Sequence, residues 1–207
     1  MEQSKQIELE IRQATPQDNL EEIAALIYKT DEYIYPYWFE SLEKCQRELP
    51  PLMLEDNFFF NVNNFYIAID KSTGQIVGAT CIVDKNTKLD YDYTKLREVN
   101  ERYKFTIDNY IKGLIEEVKD VEFAYISNVC VDENYRGQKI GNRMMSHVIE
   151  IYRQKKFQEM MLDVLAKNPG AIKLYQNLGF IQSSDIFPGF NDPEKEKPEV
   201  FSMKSRL

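Results

Sequence analysis

The stretch Val129-Cys130-Val131-Asp132-Glu133-Asn134-Tyr135-Arg136-Gly137-Gln138-Lys139-Ile140-Gly141 constrains the fold more than any other part of the chain. A strand-like run from Phe123 to Val131 breaks into a short polar loop, and a helical pattern follows at once. Ile140, Met144, Val148, Ile151 and Tyr152 recur on one face of a helix predicted from Gly137 to Lys155. The first N–H groups of a helix have no partners within it and point along its axis, so such a junction can hold an anion. Gly137 and Gly141 keep side chains out of the way of an approaching diphosphate, and Arg136 adds charge. The orders GxxxxGK[ST] and GxGxxG are both absent, which removes the Walker A loop and the dinucleotide fingerprint. Taken alone, the loop equally suits a plain strand-to-helix turn with a solvated Arg136.

A second constellation separates these readings. Some thirty residues on, after one helix and a strand from Met160 to Leu165, comes Asn168-Pro169-Gly170-Ala171-Ile172-Lys173-Leu174-Tyr175-Gln176-Asn177-Leu178-Gly179-Phe180. Asn168 and Pro169 open a short helix, Ala171, Leu174, Tyr175 and Leu178 share a face, and Gly179 closes it. With both segments in this order and spacing, the chain resembles the GNAT superfamily of N-acetyltransferases. Val131, Arg136, Gly137, Gln138 and Gly141 fall on its acetyl-CoA-binding pattern, and Asn168, Ala171, Tyr175, Gly179 and Phe180 on the segment after it. The likeness is strong from about Tyr125 to Phe180, weaker over Ile11 to Asp18, and absent from residues 84–120.

The resemblance implies an enzyme that moves the acetyl group of acetyl-CoA to a primary amine by direct attack in a ternary complex. It assigns the backbone of Val129 and Val131, with Cys130 between them, to the acetyl carbonyl and pantetheine arm. The amides from Gln138 through Lys139, Ile140 and Gly141 to Asn142 are assigned to the diphosphate, and Asn168 to the pantetheine arm. The Tyr175 hydroxyl would protonate the departing thiolate, since a phenol keeps its proton at neutral pH; a tyrosine that merely packs the core is the alternative. Lys139 stands where the family most often has glycine. A helical φ is expected there, with the lysine charge offsetting a less close approach to the diphosphate. An alkylammonium acceptor must first lose a proton, at roughly 4–5 kcal/mol at pH 7. Related enzymes often use a glutamate before the cradle, sometimes through water, and Glu122 is the nearest carboxylate; a surface residue at the start of the strand is the alternative reading. Asp31 and Glu32 would receive a cationic acceptor between Tyr33, Tyr35 and Trp38, which equally suit a core connection. His147 is expected to be structural or exposed, and Cys130 to point into the core, with an acetyl-cysteine as a minor route.

The remaining pattern predicts a single domain over residues 1–207 of mixed α+β class: a central, mostly antiparallel, twisted sheet with helices on both faces. Ile7, Leu9 and Ile11 alternate as a strand, and Thr15 and Pro16 are placed at the cap and first position of a helix. The aromatic run Asp31–Phe39 leads into a helix that Pro50-Pro51 should end at Leu49. Phe65 to Asp70 and Gln75 to Val83 form a hairpin around Lys71-Ser72-Thr73-Gly74. Residues 84–120 read as a partly helical insertion, and Phe180–Ile186 and Val200–Ser205 as the last strands. A net charge of −8 counts against sequence-independent nucleic-acid binding and suits a cationic acceptor. Cys45, Cys81 and Cys130 lack any CxxC or Cys/His spacing, so reduced thiols and no metal are expected. With no apolar run approaching ~20 residues and no signal-like start, the expected location is the cytoplasm, with no membrane partner. The acceptor stays open between a small molecule and a peptide amine, as does a homodimer. Two rival readings are a non-catalytic acyl-CoA-binding or sensor domain and an unrelated α+β enzyme that binds a nucleotide instead.

Overall fold

Asp70 closes the expected hairpin. Its carbonyl accepts from the N–H groups of Thr73 (3.2 Å) and Gly74 (2.8 Å), and its carboxylate from the N–H and hydroxyl of Ser72. Gly74 takes a φ of +76°, a conformation that side chains rarely adopt. The computed structural model describes residues 7–56, 58–87, 123–189 and 196–207. Its strands are β1 (Leu9–Gln13), β2 (Phe65–Asp70), β3 (Ile76–Asp84), β4 (Phe123–Val131), β5 (Glu159–Leu165), β6 (Ile181–Gln182), β7 (Phe187–Pro188) and β8 (Glu199–Arg206). Its α-helices are α1 (Leu20–Tyr28), α2 (Ile34–Phe39), α3 (Leu42–Met53), α4 (Ile140–Gln154) and α5 (Pro169–Asn177).

The strands form one sheet in the order β1-β2-β3-β4-β5-β8-β6, with β7 also on β8. Every pairing is antiparallel except that of β4 with β5. All nine residues of β3 are buried, as a central strand covered on both faces requires. Side chains alternate between two cores. Ile67, Ala79 and Cys81 meet Ile23, Ile27, Phe39, Leu49 and Met53 of α1–α3, together with Phe58–Phe60. Tyr66, Ile82 and Ile126 meet Met145, Val148 and Tyr152 of α4 on the opposite face. The expected α+β layering is the one observed.

Three boundaries differ from the local signals. The first helix starts at Leu20, capped by Asn19, whose side chain accepts from the Glu22 N–H (3.3 Å). Thr15 instead donates its N–H and hydroxyl to Asp18, which also takes a two-pronged bond from Arg12. That network holds the Asp18 carboxyl down at about 2, chiefly through Arg12, and ties the loop to β1. The helix expected to end before Pro50 continues to Met53. Two prolines remove two backbone bonds, but Leu49, Leu52 and Met53 are buried and hold the last turn in place. The stretch Phe180–Ile186 pairs only at Ile181–Gln182, and Phe187–Pro188 makes a separate short strand. Most of the 84–120 insertion lies outside the described residues.

Candidate active site

The site begins with an irregularity in β4. Cys81 of β3 pairs with Asn128 and the next residue, Ile82, with Ile126, so Ser127 is one residue too many. Such a bulge bends its strand and sharpens its twist. On its other side β4 pairs with β5 only at Phe123↔Glu159, Ala124↔Met160 and Tyr125↔Met161. Beyond this point the strands part: β5 stays with β8 to Leu165↔Val200, while β4 follows β3 to Val131↔Gly78. The result is a wedge-shaped cleft between two strands of one sheet. Tyr125, Asn128 and Val129 line one wall and Asp163 and Leu165 the other, with Tyr175 and Asn168 of the α5 segment at the end. The Asp132 N–H donates to Val77 on β3 (2.9 Å). Backbone groups alternate along a strand, so the N–H and C=O of Val129 and Val131 face the edge that β5 has left.

The loop after β4 forms the cradle. Gly137 has φ +81° with open space where a Cβ would stand, so its backbone and not close approach demands glycine. Lys139 sits at φ 59°, ψ 22°, the left-handed region, and caps α4 without a side-chain bond. The expected helical φ at Lys139 is therefore corrected: the helix starts at Ile140, three residues later than the sequence pattern placed it, and the lysine occupies a conformation that suits glycine. α1, α3 and α5 each have a capping side chain, Asn19, Ser41 and Asn168 respectively. α4 has none, and its first amides remain available.

Val131, Arg136, Gly137, Lys139, Gly141 and Asn142 line one recess with Lys29 and Thr30 of the α1 end and Asn168, Gly170 and Leu174 of the α5 segment. Cys130 and the buried Ile140 border it, and Gln138 is exposed in the loop beside it. A Cβ on Gly141 would meet Leu174 Cδ2 at 3.4 Å and Val131 Cγ2 at 3.6 Å, so a side chain there enters the gap between α4, β4 and α5. An uncapped helix start flanked by Lys29, Arg136 and Lys139 suits a diphosphate, and the free β4 edge suits an amide-bearing arm. The residues present thus fit CoA.

Tyr175 is buried, its ring 5.9 Å from that of Phe180. Its hydroxyl makes no hydrogen bond to the described protein, it lines the cleft, and burial holds its pKa above the ordinary phenol range. Cys130 is also buried, and burial lifts its thiol to about 11, which disfavours a thiolate and the covalent route. His147 is exposed on α4. Asp31 accepts with Oδ1 from the N–H groups of Tyr33 (2.6 Å) and Ile34 (2.8 Å), fixing the start of α2. Glu32 forms an ion pair with Lys167, whose ammonium lies 4.7 Å over the Tyr33 ring. These two residues thus join the α1–α2 segment to the β5–α5 turn across the mouth of the cleft. Tyr35 is buried against Trp38 (5.3 Å, edge to face) and accepts from Asn128 Nδ2 at 2.6 Å. Glu122 lies outside the described residues.

Asp163 is the cleft residue that the sequence reading missed. It accepts from the hydroxyls of Tyr125 (3.0 Å) and Ser202 (2.6 Å). A carboxylate in the apolar run Met-Met-Leu-Asp-Val-Leu was the available signal, but its facing depends on strand pairing that local spacing does not reveal.

Residues 27–180, about three quarters of the chain, match the Acetyltransferase (GNAT) family. N-alpha-acetyltransferase 30 of Dictyostelium discoideum is 38% identical over 69 residues, which are 33% of this chain and 37% of that protein. The ribosomal protein bS18-alanine N-acetyltransferase of Escherichia coli K12 is 33% identical over 61 residues, 30% of this chain and 41% of that one. The matches thus span well under half of either relative. Among solved structures, the NatC complex bound to Gag peptide and CoA contains a similar chain, with a TM-score of 0.61 at 17% identity over 97% of this chain and 99% of that one. The E. coli ribosomal-protein-S18-alanine N-acetyltransferase gives 0.58 at 13% identity, over 97% and 94%. At such identities the structures speak for the fold. With the parted strands, the uncapped α4 and the match over residues 27–180, the chain belongs to the GNAT acetyltransferase family.

Proposed function

We propose that this protein transfers the acetyl group of acetyl-CoA to the α-amino group of a peptide or protein, by direct attack in a ternary complex. The observation that carries the reading is the free edge of β4 beside the uncapped start of α4, which offers strand-like pairing and anion binding side by side. Bound acetyl-CoA supplies the activated acyl group as a thioester. Val129 and Val131 orient that end through their backbone, the amides from Gln138 to Asn142 hold the diphosphate with help from Arg136 and Lys139, and Asn168 contacts the pantetheine arm. Tyr175 gives its proton to the leaving sulfur, and its apolar surroundings keep that proton on the phenol until it is needed.

The choice of an α-amine is supported by the names of the two relatives above and by proton chemistry. Freeing an α-ammonium of pKa about 8 costs about 1 kcal/mol at pH 7, against roughly 4–5 kcal/mol for a lysine. The test is thiol release from acetyl-CoA with two forms of one lysine-containing peptide, one with a free N-terminus and one with the N-terminus blocked. Release with the free form alone, and acetyl at the N-terminus by mass spectrometry, are expected. Release with both forms would move the acceptor to lysine. Tight acetyl-CoA binding without release to any amine would establish a sensor domain instead.

A further inference from the structure

Among the described residues two carboxylates line the cleft, Asp31 and Asp163, and they are held in different ways. Both oxygens of Asp163 are engaged, Oδ2 by the Tyr125 hydroxyl and Oδ1 by the Ser202 hydroxyl. Asp31 places both of its bonds on one oxygen: Oδ1 receives the amides of Tyr33 and Ile34, and Oδ2 has no hydrogen-bond partner in the described protein. The backbone therefore clamps the carboxylate in place while one oxygen is left unclaimed. Asp31 lines the cleft that holds Tyr175 and also a separate depression, distinct from the cradle recess, with Lys29, Glu32, Glu133 and Arg136.

Resting on the proposed transfer to an amine, we infer that Asp31 is its general base, its Oδ2 taking the proton from the acceptor ammonium. The neutral amine then attacks the thioester carbonyl, the C–N bond forms and the C–S bond breaks. Tyr175 protonates the departing sulfur and recovers a proton from the nitrogen as this becomes an amide, and Asp31 returns its proton to solvent. One proton leaves per turnover and no redox change occurs. Burial raises the Asp31 pKa above the ordinary aspartate value, against the pull of the two amides, which makes it a stronger base than an ordinary aspartate. Among the described residues the charged and titratable groups around it are Glu32 and Lys167 over the mouth, Tyr28, Lys29, Glu133 and Arg136 in the neighbouring depression, and Asp163, Tyr35, Tyr125 and Tyr175 within the cleft. Glu32 raises the Asp31 pKa further and Lys167 lowers it. Lys167 is itself paired with Glu32, so among the described residues no cation is committed to Asp31.

The experiment measures kcat/KM against pH, from about pH 6 to about pH 9, across the titration of an α-ammonium. The acceptor is a short peptide with a free N-terminus, and wild type is compared with Asp31→Asn and Asp163→Asn. Asparagine retains an oxygen for the two amides, so the melting temperature and acetyl-CoA affinity of Asp31→Asn should match wild type. Its kcat/KM at pH 7 should fall by up to about 10-fold, the factor by which an α-amine of pKa about 8 is outnumbered by its ammonium form at that pH. The deficit should shrink as pH rises, because the peptide increasingly deprotonates unaided. Should Asp31→Asn misfold, Asp31→Ser, which also keeps an oxygen acceptor, takes its place. A wild-type pH profile in the Asp31 variant would overturn the assignment, as would the same pH-dependent deficit in Asp163→Asn or Glu122→Gln. Absence of turnover in wild type would instead remove the transferase reading, and Asp31 as base with it.

Discussion

Lys139 tests whether the cradle stores backbone strain. A side chain in the left-handed region costs about 1–2 kcal/mol, because Cβ crowds the following carbonyl. Lys139 bears that cost at φ 59°, ψ 22°. Lys139→Ala removes the charge and keeps the Cβ, whereas Lys139→Gly removes both. Glycine also loosens the unfolded chain, which offsets about 0.4–1 kcal/mol of the relief. The glycine variant should therefore be more stable than the alanine variant by about 0.5–1 kcal/mol, or roughly 1–4 °C in Tm for a chain of this size. Acetyl-CoA affinity supplies the second readout. Both variants lose the same charge, so both should bind more weakly at low salt. The deficit should shrink toward 1 M salt, where screening acts within ~3 Å. Urea or thermal melting, with calorimetry at two salt concentrations, measures both effects. A glycine variant less stable than the alanine one would refute the strain, and a salt-independent loss of affinity would refute the electrostatic role.

Tyr175→Phe keeps the ring against Phe180 and deletes the donor. Thiol release should drop roughly 10²–10⁴-fold with Tm and acetyl-CoA affinity little changed; parallel losses of stability and rate would point to a packing role. Gly141→Glu should abolish acetyl-CoA binding in calorimetry while circular dichroism still reports a folded chain, because its side chain must enter the gap beside Leu174 and Val131. Asp18 titrates lower in the folded chain than its usual 3.8, at about 2, so its bond to Arg12 stabilises above about pH 4 and is lost as pH falls toward 2. Denaturant melts should show wild type more stable than Asp18→Asn at neutral pH, with the gap closing across that acid window. A constant gap would contradict the linkage.

The parts of the site written in local signals were legible. The strand Phe123–Val131 is apolar but for Ser127 and Asn128, and Asn168-Pro169 announces a helix start that its bond to the Ala171 N–H (3.0 Å) bears out. Signals that compete locally were misread. Thr15 and Asn19 are both plausible caps, and Arg12 decides between them by drawing Asp18 and Thr15 into its own network. Pro50-Pro51 looks like a stop until the burial of Leu52 and Met53 is known. The left-handed Lys139 carries no mark in its own identity. The placing of Asp163 in the cleft depends on the extra residue at Ser127, a matter of pairing between β3 and β4, whose residues Cys81 and Asn128 lie far apart in the chain.

The parting of β4 from β5 also bears on solubility. Unpaired strand edges recruit other strands, and proteins guard them by shortening, charging or covering them. At one border of this sheet β1 carries Glu10 and Arg12, and at the other β6 is two residues long. Among the described residues the long unpaired edge, from Ile126 to Val131, lies in the interior of the sheet, walled by β5 on one side and α5 at its end. A neighbouring sheet would have to enter between β4 and β5 edge first, whereas a single extended chain can lie along the wedge. The fold thus keeps exposed backbone ready for pairing and denies it to aggregation by placing it inside the sheet.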